Sequence, residues 1–145
     1  MSKIIMIFML LLAPISSQGG NFGFSLGAGL QYSGVLGTQF SFRQKNIKYH
    51  LSVGVPGYSL GLEKSFSRYN NHSVGLVAGE MFMLFAKENA KYSFATYNYH
   101  FSGFSNSGWV IGGGLGLYKE GAASWGDDDD PKAKTTYTVD VGYKF

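Results

Sequence analysis

The chain contains no cysteine, so neither a disulfide framework nor a thiolate metal site can hold it together. Charged residues make up only 14% of its 145 residues, little for a surface facing water on every side. The formal net charge of +3 falls to about +2 once Lys3 is set aside, and it is dispersed, which excludes a nucleic-acid footprint. Beyond Ser17 no apolar run approaches the ~20 residues that a membrane-crossing helix requires. Lacking helices of that kind, such a chain could span lipid only as a closed β-barrel. What it has in abundance is aromatic residues, at 17%, and glycine, at 21 positions.

The first residues stand apart from the rest. Lys3 precedes an unbroken apolar run from Ile4 to Leu12, and Ala13, Pro14, Ile15, Ser16 and Ser17 then supply a helix break and small side chains. This is the order of a secretory signal peptide over residues 1–17, cut after Ser17 with Gly19 as the alternative. Nine apolar residues are too few for an anchor, and no cysteine follows for lipid attachment. One domain, residues 18–145, remains.

Within it, side chains alternate with period two, the mark of β-strands with one apolar face. From Phe22 to Tyr32 the apolar set is Phe22, Phe24, Leu26, Ala28, Leu30 and Tyr32. After Ser33-Gly34 come Leu36, Thr38, Phe40 and Phe42, then Ile47, Tyr49, Leu51, Val53 and Val55. Pro56-Gly57 reads as a turn before Tyr58, Leu60 and Leu62. A fifth run, Ser73 to Phe85, starts with Val74, Leu76 and Ala78, and a β-bulge near Gly79 is expected to turn Glu80 away from that face. The remaining runs carry Ala95, Tyr97, Tyr99 and Phe101, then Trp109, Ile111, Leu115 and Leu117, and finally Tyr137, Val139, Val141, Tyr143 and Phe145. The expected fold is all-β, an eight-stranded antiparallel up-and-down transmembrane barrel behind a cleavable signal peptide, with both termini at one end.

The closing segment sets Thr138, Asp140, Gly142 and Lys144 between its apolar residues and ends on an aromatic carboxyl terminus. It resembles the last strand of bacterial outer-membrane barrels, and the chain as a whole resembles the small eight-stranded barrels of the OmpA and OmpX type. That resemblance implies residence in the bacterial outer membrane, contact with outer-membrane lipid and lipopolysaccharide, and delivery by the barrel-assembly machinery through Tyr137, Val139, Val141, Tyr143 and Phe145. Connections as short as Ser33-Gly34 and Pro56-Gly57 depart from that family's tall external hairpins.

An eight-stranded barrel leaves a lumen that side chains fill. Buried charges require partners, so Arg43, Lys48 or Lys144 should meet Glu63, Asp140 or Glu80 in an interior polar network. Inward glycines leave room for a large side chain such as Tyr118, or for an acyl chain. Trp109, Tyr97, Tyr99, Tyr137, Tyr143 and Phe145 are candidates for aromatic girdles at the two interfaces. His100 and Ser102, two apart on a strand, share the base and nucleophile types of acyl transfer and resemble the His-x-Ser of outer-membrane lipid A deacylases. Where that family places its glutamate this chain has Gly114, and Glu120 lies at the far end of the neighbouring strand. The long connection holds Trp125 and the acids Asp127, Asp128, Asp129 and Asp130, without the alternation and turn glycine of a calcium loop. No cofactor or metal is expected.

These residues predict a porin-like envelope barrel with a plugged interior and a structural or surface-interaction role, with an extracellular ligand at the long loop as a further partner. The alternatives are a lipid A-modifying enzyme and a barrel carrying a small hydrophobic ligand. The exported protein is expected to begin at Gln18, or at Gly20 for the alternative cut. Intact-mass measurement of the envelope form checks this, and an uncut chain would refute it.

Overall fold

The computed structural model describes residues 21–66, 70–82, 89–119 and 132–145; the signal peptide expected over residues 1–17 therefore lies outside the described residues. Seven antiparallel strands, β1 (Phe22–Gly29), β2 (Gly34–Gln44), β3 (Ile47–Ser65), β4 (His72–Met81), β5 (Ala90–His100), β6 (Gly108–Lys119) and β7 (Lys134–Lys144), follow one another around a closed barrel. Among the described residues no helix is long and apolar enough to cross a membrane.

The count is seven where the periodicity predicts eight, because the runs on either side of Pro56-Gly57 join into the single 19-residue strand β3. Its first part, through Pro56, pairs with β2, and its second, from Gly57, pairs with β4. Closure reveals its shape. Seven straight strands with antiparallel neighbours would leave the first and last parallel, yet β1 and β7 are antiparallel. β3 must therefore reverse direction within itself. The Ser65 N–H donates to the Asn46 carbonyl at 2.9 Å, whereas 19 extended residues would separate them by roughly 60 Å. Accordingly, the exposed positions switch from odd (Tyr49, Leu51, Val53, Val55) to even (Tyr58, Leu60, Leu62) across the reversal. The first described residues and the C-terminal Phe145 consequently lie at one mouth of the barrel, with Arg43 N–H bonded to Asn21 O and Phe145 N–H bonded to Phe24 O at 3.0 Å.

The polarity of the wall is inverted relative to a water-soluble fold. Leu36, Phe40, Leu51, Leu60, Leu76, Leu115, Tyr137 and Val139 are exposed on the outside, Phe40 by 46% and Val139 by 69%. Ser25, Gln39, Lys48, His50, Ser52, Glu63, Asn98, His100, Thr138, Asp140 and Lys144 are buried inside. At the end away from the termini the filling is apolar instead, with Val77, Tyr92 and Phe94 packed against Leu30, Met81 and Tyr118.

An aromatic belt surrounds the terminus-bearing end. Ring contacts run Phe40–Phe24–Phe145–Tyr143–Trp109, with Phe22 against Phe42. They resume through Phe101, Tyr99, His72 and Phe66, with Tyr97 beside His72. Tyr137, expected among the girdle residues, stands higher on the wall, opposite Leu115.

Two local expectations are corrected. The first strand stops at Gly29 rather than Tyr32; the chain there forms a short 3-10 turn, Leu30–Tyr32, and bends into the lumen, so that Leu30 and Tyr32 leave the outer face. Gly29 makes this departure at φ 112°, a conformation open to glycine. No bulge occurs at Gly79: the register of β4 with both neighbours is unbroken, and Glu80 stays on the outer side with Val74, Leu76 and Ala78. At the rim it needs no such escape, because the Tyr58 hydroxyl (2.7 Å) and Asn89 Nδ2 (2.8 Å) donate to it.

Space for the inward bend comes from missing side chains. A Cβ at Gly37 would collide with the Tyr32 carbonyl, whereas one at Gly113 would meet only Thr138 O at 3.3 Å. Gly37→Val should therefore prevent formation of the compact barrel. Gly113→Ala should stay within about 1 kcal/mol of the parent, as read from urea unfolding of the refolded protein. Equal behaviour of the two variants would refute this packing.

Candidate functional site: the plugged lumen

Leu30, Gln31, Tyr32 and Ser33 enter the barrel and occupy its middle. Gln31 is the hub. Its backbone N–H donates to Asp140 Oδ1 at 2.9 Å and its side-chain amide nitrogen to Asp140 Oδ2 at 3.0 Å. The same amide exchanges hydrogen bonds with Asn98, at 2.9 and 3.1 Å. Its carbonyl accepts from Ser52 Oγ at 2.7 Å. Ser33 reaches the Ser52 carbonyl and Ser59, and the Tyr92 hydroxyl donates to the Leu30 carbonyl. Tyr32, 5% exposed, lies where Gly27 and Gly142 carry no side chain. The volume that the sequence assigns to a ring such as Tyr118 or to an acyl chain is thus taken by Tyr32, with Tyr92 over Gly79 and His50 over Gly61.

Nearer the terminus-bearing mouth sits a second cluster around Glu63, which is 2% exposed. Lys48 forms an ion pair with Glu63 Oε2. Oε1 accepts from His100 Nε2 at 2.7 Å, from Asn98 Nδ2 at 3.1 Å and from Ser73 Oγ. Asn98 therefore joins the two clusters.

Lys144 Nζ lies 3.1 Å from His100 Nδ1 and donates to the carbonyls of Gly103 (2.9 Å) and Phe104 (3.0 Å). An ammonium can only donate, so His100 accepts at Nδ1 and holds its proton on Nε2, directed at Glu63. Phe104 closes this mouth from below, edge-on to His100 at 5.2 Å and under the Lys48 ammonium at 5.7 Å. Among the described residues every buried side-chain nitrogen and oxygen has a partner. The gap left between Gln31, Tyr32, Glu63, Asn98 and Asp140 is about 10 Å³, at the limit for a single water.

The predicted interior charges separate into three groups. Lys48 and Glu63 meet, with Lys144 bound beside them. Asp140 is inside but is satisfied by Gln31 and by the Thr138 hydroxyl at 3.3 Å rather than by a cation. Arg43 and Glu80 do not join: Arg43 reaches the Ser105 carbonyl at 3.1 Å at the terminus-bearing rim, and Glu80 lies on the outer side.

His100 and Ser102 part company. His100 is fully buried, with both ring nitrogens occupied, while Ser102 is exposed in the turn after β5, its hydroxyl beside Gly108. The hydroxyl near His100 is that of Ser73, 2.8 Å from the nitrogen that also faces Glu63. Sharing one nitrogen and sealed from any substrate, these groups do not make the relay of a hydrolase, in which acid and nucleophile address opposite ring nitrogens.

Tyr137, Val139, Val141 and Phe145 are exposed on the outside of β7, with Tyr143 half-buried between Trp109 and Phe145. Trp125 and Asp127 to Asp130 lie outside the described residues. Among those described, no group of three His, Cys, Asp or Glu is arranged to hold a metal. Gln31, Asn98 and Ser73, the members that complete the network, carry no charge to single them out in the sequence; alternation puts both Gln31 and Asn98 on the inward side, but that Gln31 leaves the wall to become the hub required knowledge of the bend. The chain matches no protein-family model, no curated protein and no solved structure.

Removing one side of a buried ion pair strands the other, at a cost of about 3–5 kcal/mol. Glu63→Ala, which deprives Lys48, His100, Asn98 and Ser73 of their acceptor, should lower unfolding stability by at least that amount. Arg43→Ala, at the rim, should cost less than about 1 kcal/mol. Urea midpoints of the refolded variants measure both, and a Glu63→Ala variant as stable as the parent would contradict the network.

Proposed function

We propose that this chain is an exported, integral β-barrel of the bacterial outer membrane, closed to diffusion and acting as a structural or surface-interaction protein. The supporting observation is the inverted wall: large apolar side chains cover the outside while charges and hydroxyls are paired within. In water, an apolar surface running around a whole barrel far exceeds the few hundred Å² that monomers ordinarily expose. In hydrocarbon the same surface is matched, and the closed ladder leaves no strand edge along the paired wall. Strands of 8–12 residues, with the 19-residue β3 crossing twice as two arms divided at Pro56-Gly57, suit the ~9–11 needed for a tilted crossing. Phe24, Phe145, Tyr143 and Trp109 then belong to the girdle at the periplasmic interface. In this orientation β6 ends and β7 begins on the outer side of the membrane, the side of lipopolysaccharide or an extracellular ligand, and β7 ends in the assembly signal.

Diffusive transport is disfavoured by the Gln31 plug, and carriage of a hydrophobic ligand by the filled lumen. Lipid A hydrolysis loses support with the separation of His100 from Ser102. The refolded barrel should migrate differently before and after boiling in detergent, fractionate with outer membranes, and leave planar bilayers non-conducting. Leu115→Lys, on the outer wall, should cost about 2–4 kcal/mol of folding stability in lipid vesicles. A protein that stays dispersed and folded without detergent would refute the reading.

A further inference from the structure

On the outer face of the described strands the charged side chains are Lys64, Glu80, Lys91 and Lys119. Lys64 stands near the terminus-bearing mouth, one residue from Ser65. The other three adjoin one another at the opposite rim, since the register places Glu80 beside Lys91 and Lys91 beside Lys119. Directly opposed residues of an antiparallel pair have Cβ atoms about 4.5–5.5 Å apart, and like charges so placed are destabilising. β5 and β6 nevertheless set two exposed lysines directly opposite each other in the register. The adjacent Glu80 carboxylate, held by Tyr58 and Asn89, attracts Lys91 from its other side and offsets only part of that repulsion, since Lys119 lies one strand further away.

Immediately beneath the two lysines the same face turns apolar, with Leu117, Leu115 and Tyr137 all exposed. Lys119 is two residues from Leu117, roughly 7 Å along the strand, which is the spacing between a lipid headgroup and the start of its chains. A single anion between the ammonium groups would convert their repulsion into two attractions. Lysine suits this role, being a point charge on a flexible stem that binds phosphate without a fixed fork.

Resting on the membrane reading above, we propose that Lys91 and Lys119 form a binding site for the phosphate of a membrane lipid, whose chains lie against Leu115, Leu117 and Tyr137. The site sits at the rim away from the termini, at headgroup depth. It selects phosphate-bearing lipid over neutral lipid.

The test is native mass spectrometry of the folded full chain, taken from phosphatidylcholine vesicles doped with either phosphatidic acid or diacylglycerol. Phosphatidic acid should be retained and diacylglycerol not. Lys91→Gln and Lys119→Gln should each reduce retention roughly 5-fold and the double variant roughly 30-fold, as expected for loss of one surface attraction per lysine. Lys64→Gln should leave it unchanged, and added salt should weaken it. Retention by the double variant equal to the parent would overturn the site while leaving the membrane reading intact, because both proteins would still have inserted. Displacement by inorganic phosphate as effective as by phosphatidic acid would make it a free-anion site and overturn the assignment to lipid. Retention that appears only after Asp127 to Asp130 are changed to asparagine would assign the lysines to those acids instead. Failure of the parent to insert into any vesicle would refute the membrane reading itself.

Discussion

A sealed lumen has no water to spare, so each polar group drawn into it must be answered by another. Gln31 meets that requirement with its whole complement: main-chain N–H to Asp140, side-chain amide to Asn98 and Asp140, carbonyl to Ser52. The inward bend, the glycines around Tyr32 and the partnership of Asp140 without a cation all follow from admitting this one segment. A Cβ at Gly27, Gly37 or Gly142 would strike Tyr32, and one at Gly112 would strike Asn98. The glycine pattern is the imprint of the plug on the wall.

The two ends of the interior are built from different physics. Toward the termini, Glu63 gathers Lys48, His100, Asn98 and Ser73, while Lys144 ties the end of β7 to the turn that carries Phe104. Toward the other rim, Val77, Tyr92 and Phe94 pack into a hydrophobic cluster. A path for ions would have to cross both a charge-paired and an apolar layer. Such a filling favours rigidity over passage and is consistent with a wall that serves by its surface.

Several parts of this arrangement were legible residue by residue. Strict alternation identified the inward side of most runs, and buried charge on that side made the meeting of Lys48 with Glu63 foreseeable. The same reasoning misassigned Arg43, whose long side chain turns to the Ser105 carbonyl at the mouth. It also misassigned Glu80, which was expected to need shelter although it sits at the rim with two donors. Position along the barrel axis decides what a charge costs, and alternation carries no information about height.

Taken alone, the amino-acid order determined which side chains share a face, because that periodicity is imposed by the pleat of every strand irrespective of its neighbours. Only the tertiary structure decided where the chain leaves the wall. Leu30 and Tyr32 continue the apolar rhythm of β1 yet turn inside, whereas the reversal read at Pro56-Gly57 occurs without interrupting the strand β3. A departure from the ladder depends on whether the vacated hydrogen bonds and the newly buried groups find partners on strands distant in sequence, and Asp140, Asn98 and Ser52 supply them only once the barrel has closed.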